Sequence, residues 1–167
     1  MRFTKIILVF FILGSNFSCS KSSDSTTVPA KTTTELLAGT VSKSWKSTSA
    51  KAKNAQNLEV DFYSISTYNK PCILDNLLVI NVNKTYELRE GATKCATTDP
   101  DLILKANWTL SADNKTFTVD KFVFAGKELT NVVFTIQSLT ETDMTTTTPI
   151  SYLGQDFVAT LVFAAAN

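Results

Sequence analysis

Four stretches of this chain place an apolar residue at every second position, the period that a strand with one face in a core requires. Leu104, Ala106, Trp108 and Leu110 alternate with Lys105, Asn107 and Thr109. Phe117 and Val119 alternate with Thr116, Thr118 and Asp120; Val132, Phe134 and Ile136 alternate with Val133, Thr135 and Gln137. Phe157, Ala159, Leu161 and Phe163 alternate with Val158, Thr160 and Val162. Shorter runs rich in Val, Ile, Thr and aromatics make strand candidates at 41–50, 58–64, 78–82, 85–90, 121–124 and 144–148. Polar turns separate them at Ser111-Ala112-Asp113-Asn114-Lys115, at Ala125-Gly126-Lys127 and over 149–154. About eight to ten short strands joined this way form a meander, which must close on itself or fold over to hide its edges. The Thr-rich run 142–148 reads as an outward-facing, solvated edge strand.

Only one segment carries helix signals. Thr32-x-x-Glu35 forms a capping box ahead of Leu36, Leu37 and Ala38, and Gly39 is placed to end the turn.

The N-terminus has a different pattern. Arg2 and Lys5 precede the apolar run IILVFFIL at 6–13, and Gly14 to Ser18 lead to Cys19. This is the layout of an export signal, too short to span a bilayer as a mature helix. Cys19 directly after the exit region resembles a lipobox, with Ser18 as the small residue before the cut and Asn16 where Leu is usual. A signal peptide at 1–18, a lipidated Cys19 and a flexible tether at 19–31 follow as expectations. The small, polar, aperiodic stretch from Ser20 to Lys31 reaches about 40 Å when extended. Within it, Asp24-Ser25-Thr26 resembles a short bacterial O-glycosylation motif. Residues 32–167 are then the folded domain.

With Cys19 acylated, Cys72 and Cys95 remain as an even pair in an oxidising compartment. A two-residue turn at Asn83-Lys84 sets Val82 opposite Thr85, and the same register carried outward sets Cys72 opposite Cys95. A three-residue turn, Asn83 to Thr85, pairs Val82 with Tyr86 and Ile80 with Leu88 and keeps the two Cys close. The bond would close a loop of about 24 residues, worth roughly 3 kcal/mol.

The 16 basic and 15 acidic side chains nearly cancel, and loss of Arg2 and Lys5 turns the balance slightly negative. That argues against nucleic acid or an anionic surface as an electrostatic partner. The absence of His removes the commonest general base and the commonest metal ligand. No Gly-rich phosphate loop or metal spacing appears, so no cofactor is expected. The pairs Glu59/Asp61, Asp99/Asp101 and Glu141/Asp143 share strand spacing but lie in polar, turn-like contexts, and Asp75 suits a turn or cap. The chain is expected not to be an enzyme.

An ordered set of stretches carries a family resemblance. It runs from Leu36-Leu37-Ala38-Gly39 to Ser44-Trp45-Lys46, Cys72-Ile73-Leu74-Asp75-Asn76-Leu77 and Asn83-Lys84-Thr85-Tyr86. Gly91 to Cys95, Ala106-Asn107-Trp108-Thr109-Leu110, Thr116-Phe117-Thr118-Val119 and the closing strand 157–163 complete it. In that order it resembles the lipocalin-like domain of lipoproteins from Gram-negative bacteria. It departs from the usual lipocalin pattern in that Gly39 lies six residues before Trp45, no Thr-Asp-x-x-Tyr motif occurs, and no Arg is positioned to stack on Trp45. The resemblance implies a mainly β fold, an up-and-down antiparallel barrel of about eight strands with one short N-terminal helix. The competing β-sandwich is disfavoured by the local meander and by a Cys pair that bridges one hairpin.

Such a barrel is filled by side chains or holds one small ligand. Trp45, Tyr86, Trp108, Phe124 and Phe134, with Phe117 and Phe157, are the interior candidates. The expectation is a lipoprotein anchored to the outer membrane by its lipid, its domain periplasmic or surface-exposed, binding a small apolar molecule. The alternative is an envelope interaction protein with a packed barrel, its protein partner unknown.

Overall fold

A computed structural model describes residues 30–166. The expectations for the signal peptide, lipidated Cys19, Asp24-Ser25-Thr26 and the tether up to residue 29 lie outside the described residues. The element order is α1 (Thr33–Ala38), β1 (Ser42–Lys53), β2 (Glu59–Asp61), α2 (Pro71–Leu74), β3 (Leu77–Asn81), β4 (Thr85–Arg89), β5 (Leu102–Leu110), β6 (Thr116–Phe124), β7 (Lys127–Leu139), β8 (Asp143–Tyr152) and β9 (Gln155–Ala166).

All strand pairings are antiparallel, and β3 to β9 follow one another around the sheet in chain order. β1 closes the ring by pairing with β9 on one side and β3 on the other, so eight strands form an up-and-down barrel. Closure pairs each of the eight wall strands on both sides over at least part of its length. β2 is a short ninth strand on the far half of β1, where Lys51 to Lys53 pair with Asp61 to Glu59.

The two ends of the barrel differ. At one end α1 lies against β1, β3 and β7. The capping box forms as expected: Thr32 Oγ1 accepts from the Glu35 backbone N–H, and the Glu35 carboxylate accepts from the Thr32 backbone N–H. Leu37 and Ala38 are wholly buried. The Trp45 indole donates to the Leu37 carbonyl at 2.8 Å, which satisfies one of the helix's last, otherwise orphaned acceptors. Among the described residues no Arg stacks on Trp45. Lys43 does so instead, its Nζ 4.2 Å from the ring centroid and 2.8 Å from the Leu36 carbonyl it donates to. Lys84 stacks in the same way on Trp108 at 3.8 Å. The other end of the barrel is the mouth. Over it run residues 62–76, with α2 fastened to the β4–β5 loop by the Cys72–Cys95 disulfide.

The structure corrects several local expectations. The 58–64 run is a strand only over Glu59–Asp61. Asp61 then accepts from the Tyr63 N–H and turns the chain into a 3-10 turn at Phe62–Ser64. α2 is a second helix, one turn long with Pro71 at its start, too short to show a period. In the β3–β4 hairpin Ile80 pairs with Tyr86 and Leu78 with Leu88, a register offset from both expected ones. The reason is local: Asn83 accepts from the Thr85 N–H, and Lys84 takes a positive φ of 69°. The two Cys therefore face each other from α2 and a loop, beyond the hairpin ladder.

Pro149 is inside β8, not in a turn. The β7–β8 ladder stops at the Thr135–Thr147 pair, so Pro149 sits where β8 has no β7 partner to donate to. The actual β8–β9 turn is Leu153-Gly154, with φ of 50° and 75°. Two positive φ values are the two-residue hairpin geometry that Asn-Gly suits and that Leu resists. Leu153 is also 84% exposed. Leu153→Asn is therefore expected to raise stability by about 1 kcal/mol. A urea midpoint that fell instead would show that Leu153 makes a contact worth more than its backbone strain.

The Thr-rich run is neither an edge nor wholly outward. β8 lies between β7 and β9, and Met144, Thr146, Thr148 and Ile150 point inward. The hydroxyls of Thr146 and Thr148 are buried without a hydrogen-bond partner. Such a group bears its desolvation cost uncompensated, so Thr146→Val, which keeps the shape, is expected to stabilise by about 1 kcal/mol. A destabilised variant in urea titration would mean that the hydroxyl is partnered in solution.

Candidate functional site

The interior is unevenly filled. Toward the α1 end, Ile80, Tyr86, Trp108, Phe117, Val119 and Phe134 close around a void of only about 10 Å³. Phe117 and Phe134 stack at 5.0 Å there, and Phe122 meets Phe134 edge-on at 5.0 Å. Toward the mouth a cavity of about 450 Å³ opens. Leu78, Phe122 and Phe163 border both spaces and mark the level where packing stops.

Each wall of the cavity traces to a strand or the mouth segment. β1 supplies Trp45, Ser47 and Ala50; β4 and β5 supply Leu88 and Ile103; β6 supplies Phe122 to Phe124. The mouth segment supplies Phe62, Tyr63, Thr67, Tyr68, Lys70, Ile73 and Asn76. Phe62 is the centre of a roof. Its ring lies 4.7 Å from Phe124, 5.1 Å from Tyr152 and 5.9 Å from Tyr68, tilted or edge-on to each. The Tyr68 hydroxyl donates to the Ala125 carbonyl at 3.3 Å, joining this roof to the β6–β7 turn.

Few polar groups face the cavity. Burial pushes the Tyr63 phenol above its usual range, with a hydrogen bond to Ser47 pulling the other way, so it stays neutral at physiological pH. Among the described residues Lys70 is the one charged residue in the lining, exposed at the rim. An apolar, aromatic-walled space with a few polar groups at one side is the form of a small-molecule site.

Of the residues expected inside, the structure brings Trp45 and Phe124 to the cavity. It sets Tyr86, Trp108, Phe134 and Phe117 in the packed end, and Phe157 in the core away from both spaces. Phe62, Tyr63, Tyr68, Phe122 and Phe163 belong to the cavity but were not among the interior candidates named from the sequence. Phe163 was legible as an inward strand position. Phe62 to Tyr68 was not, because the mouth segment has no period.

The three carboxylate pairs are engaged elsewhere. Glu59 and Asp61 flank Lys51 at 3.3 and 3.9 Å. Asp101 pairs with Lys94 at 2.6 Å, and Asp99 accepts from the Ala96 N–H. Glu141 pairs with Lys31 at 2.8 Å, and Asp143 accepts from Thr142. Asp75 ends α2 and accepts from the N–H and hydroxyl of Thr93. Gly91 passes so close that any Cβ there would collide with the Asp75 carbonyl. No cluster of three or more Asp, Glu or Cys side chains suited to a metal occurs among the described residues.

A closed eight-stranded meander with a helix across one end and a cavity at the other defines the architecture. It is a closed up-and-down antiparallel β-barrel. Among solved structures the chain is similar to bovine odorant binding protein in complex with undecanal, with a TM-score of 0.44 at 18% identity, over 84% of this chain and 77% of that one. It is also similar to the same bovine protein complexed with its natural ligand, with a TM-score of 0.43 at 19% identity, over 84% and 77%. No family model and no curated protein matches the sequence.

Proposed function

We propose that this protein is a lipoprotein of the bacterial envelope whose barrel binds one small apolar molecule in the cavity at its mouth. The observation that carries the binding reading is the cavity itself. Its volume of about 450 Å³ and its aromatic walls favour an apolar guest over the alternative of a fully packed barrel with no ligand. The engaged carboxylates and the absence of His support a binding role over catalysis. The anchor rests on the sequence around Cys19, with the signal-like run before it. On this reading the lipid holds the protein to the outer membrane, with the domain periplasmic or exposed.

The two tryptophans make the binding reading testable, because Trp45 borders the cavity and Trp108 lies in the packed end. Titration of the Trp108→Phe protein with the apolar probe N-phenyl-1-naphthylamine is expected to quench Trp45 emission saturably at one probe per chain. Leu88→Trp, which fills the cavity, is expected to abolish the effect. An emission unchanged by probe would sink the binding reading. The anchor is tested separately by growth with an alkyne-tagged fatty acid: label on the native chain and none on Cys19→Ala is the expected result, and an unlabelled native chain overturns it.

A further inference from the structure

We propose that the tip of the β6–β7 hairpin, residues 121–130, is a hinged flap that gates the cavity from the side of the barrel; this rests on the binding reading above. Three features set this tip apart from the wall.

The first is that the tip is unzipped from both neighbours. β5 and β6 pair only at Trp108–Val119, Thr109–Thr118 and Leu110–Phe117, so β6 beyond Val119 has no ladder to β5. β7 pairs with β8 only from Thr135 onward, so β7 before that has no ladder to β8. Within the hairpin, pairing continues to the turn, from Lys121–Thr130 to Phe124–Lys127. Lys121 and Glu128 add an ion pair at 3.0 Å across it. The tip is thus one two-stranded unit bonded to itself, and such a ribbon alone is marginally stable.

The second feature is a hinge. Below it Val119 and Val132 point inward; above it Phe122 and Leu129 do. Inward positions three apart break the period of two on both strands at the same rung. Asn131, with a φ of 51°, sits at that rung.

The third is a set of catches placed where the ladders end. Asn107 on β5 donates twice to the Asp120 carboxylate, through its backbone N–H and its side chain, both at 2.7 Å on the outer surface. On the inside the Tyr86 hydroxyl donates to the Lys121 carbonyl, an acceptor that β5 leaves unpaired. Burial holds the Tyr86 phenol far above its usual range, so it keeps the proton it donates. At the tip Tyr68 holds Ala125. The flap's inner face, Phe122 to Gly126, is cavity wall. The mouth above is roofed by Phe62 and its aromatic neighbours. Swinging the tip outward about residues 120 and 131 opens the cavity while the remaining ladders stay intact.

Two measurements on the mature chain test this. In hydrogen exchange of the ligand-free protein, amides of 121–130 are expected to exchange as one block, at least about tenfold faster than those of the fully paired β8–β9 ladder. Equal protection of the two regions overturns the flap. In stopped-flow mixing with N-phenyl-1-naphthylamine, Asn107→Ala removes the side-chain bond of the outer catch, leaving its backbone N–H bond to Asp120, without touching the cavity lining. It is expected to raise the association and dissociation rates together by about tenfold, leaving Kd nearly unchanged. A change in Kd alone, or unaltered rates, overturns the gate. If the probe does not bind the unaltered chain at all, the binding reading fails, and the exchange experiment still decides the flap.

Discussion

Replacing Trp45 by Ala is expected to lower the unfolding free energy by about 3–5 kcal/mol. The side chain is wholly buried, so the substitution removes a full aromatic contact area. It also strands the Leu37 carbonyl at the end of α1, beside residues that are themselves completely buried. An unsatisfied buried acceptor adds about 1–3 kcal/mol to the cost of the lost contacts. Lys43 loses the ring it stacks on as well. Trp45→Phe separates the two contributions, since it keeps most of the packing and deletes only the indole donor; a loss of about 1–2 kcal/mol is expected. Urea unfolding followed by Trp108 emission measures both. A cost below about 1 kcal/mol for the Ala variant would show that α1 is not held by Trp45, and that this end of the barrel is closed some other way.

Joint replacement of Cys72 and Cys95 by Ser is expected to cost about 3 kcal/mol and to lower Tm by roughly 10 °C. The two residues are separated by 23 positions, and their Cα atoms lie 5.1 Å apart. The bond restricts the unfolded chain, and it pins α2 to the β4–β5 loop at a place with little else to hold it. α2 has no side-chain cap and no fully buried residue. Its remaining ties to that loop are polar: Asp75 with Thr93, and Asn76 accepting from the Gly91 N–H. The mouth segment therefore loosens before the barrel does. Calorimetry of the double variant tests the energy, and a Tm within about 2 °C of the native chain would show that the bond closes no entropically costly loop.

Much of the wall was legible in the sequence because a strand announces itself locally. The alternation at 104–110, 117–119, 132–136 and 157–163 is a rule about neighbours two apart, and it correctly places Ala106, Trp108, Phe117, Val119, Val132, Phe134, Phe157, Ala159, Leu161 and Phe163 inside. The capping box at Thr32 and Glu35 is equally local. The Thr-rich run was misread for a related reason: with Thr at every position from 145 to 148, hydropathy carries no phase, and only the pairing with β9 decides that Thr146 and Thr148 face inward. Pro149 misled in the same way, since whether a proline breaks a strand depends on which neighbour needs its missing N–H.

By itself, then, the sequence determined that this chain is a meander of short antiparallel strands with one capped helix at its start and a single Cys72–Cys95 staple. It did so because period, capping and turn chemistry are properties of residues close together along the chain. Only the tertiary structure decided that the meander closes, β1 against β9, and that closure leaves one end packed and the other hollow. Aromatic residues look alike in sequence; whether Trp108 fills space or Trp45 borders it depends on what the facing strands bring to the same level. The unzipped tip of β6–β7 belongs to the same class, because a ladder that stops is a relation between two strands and is written in neither of them.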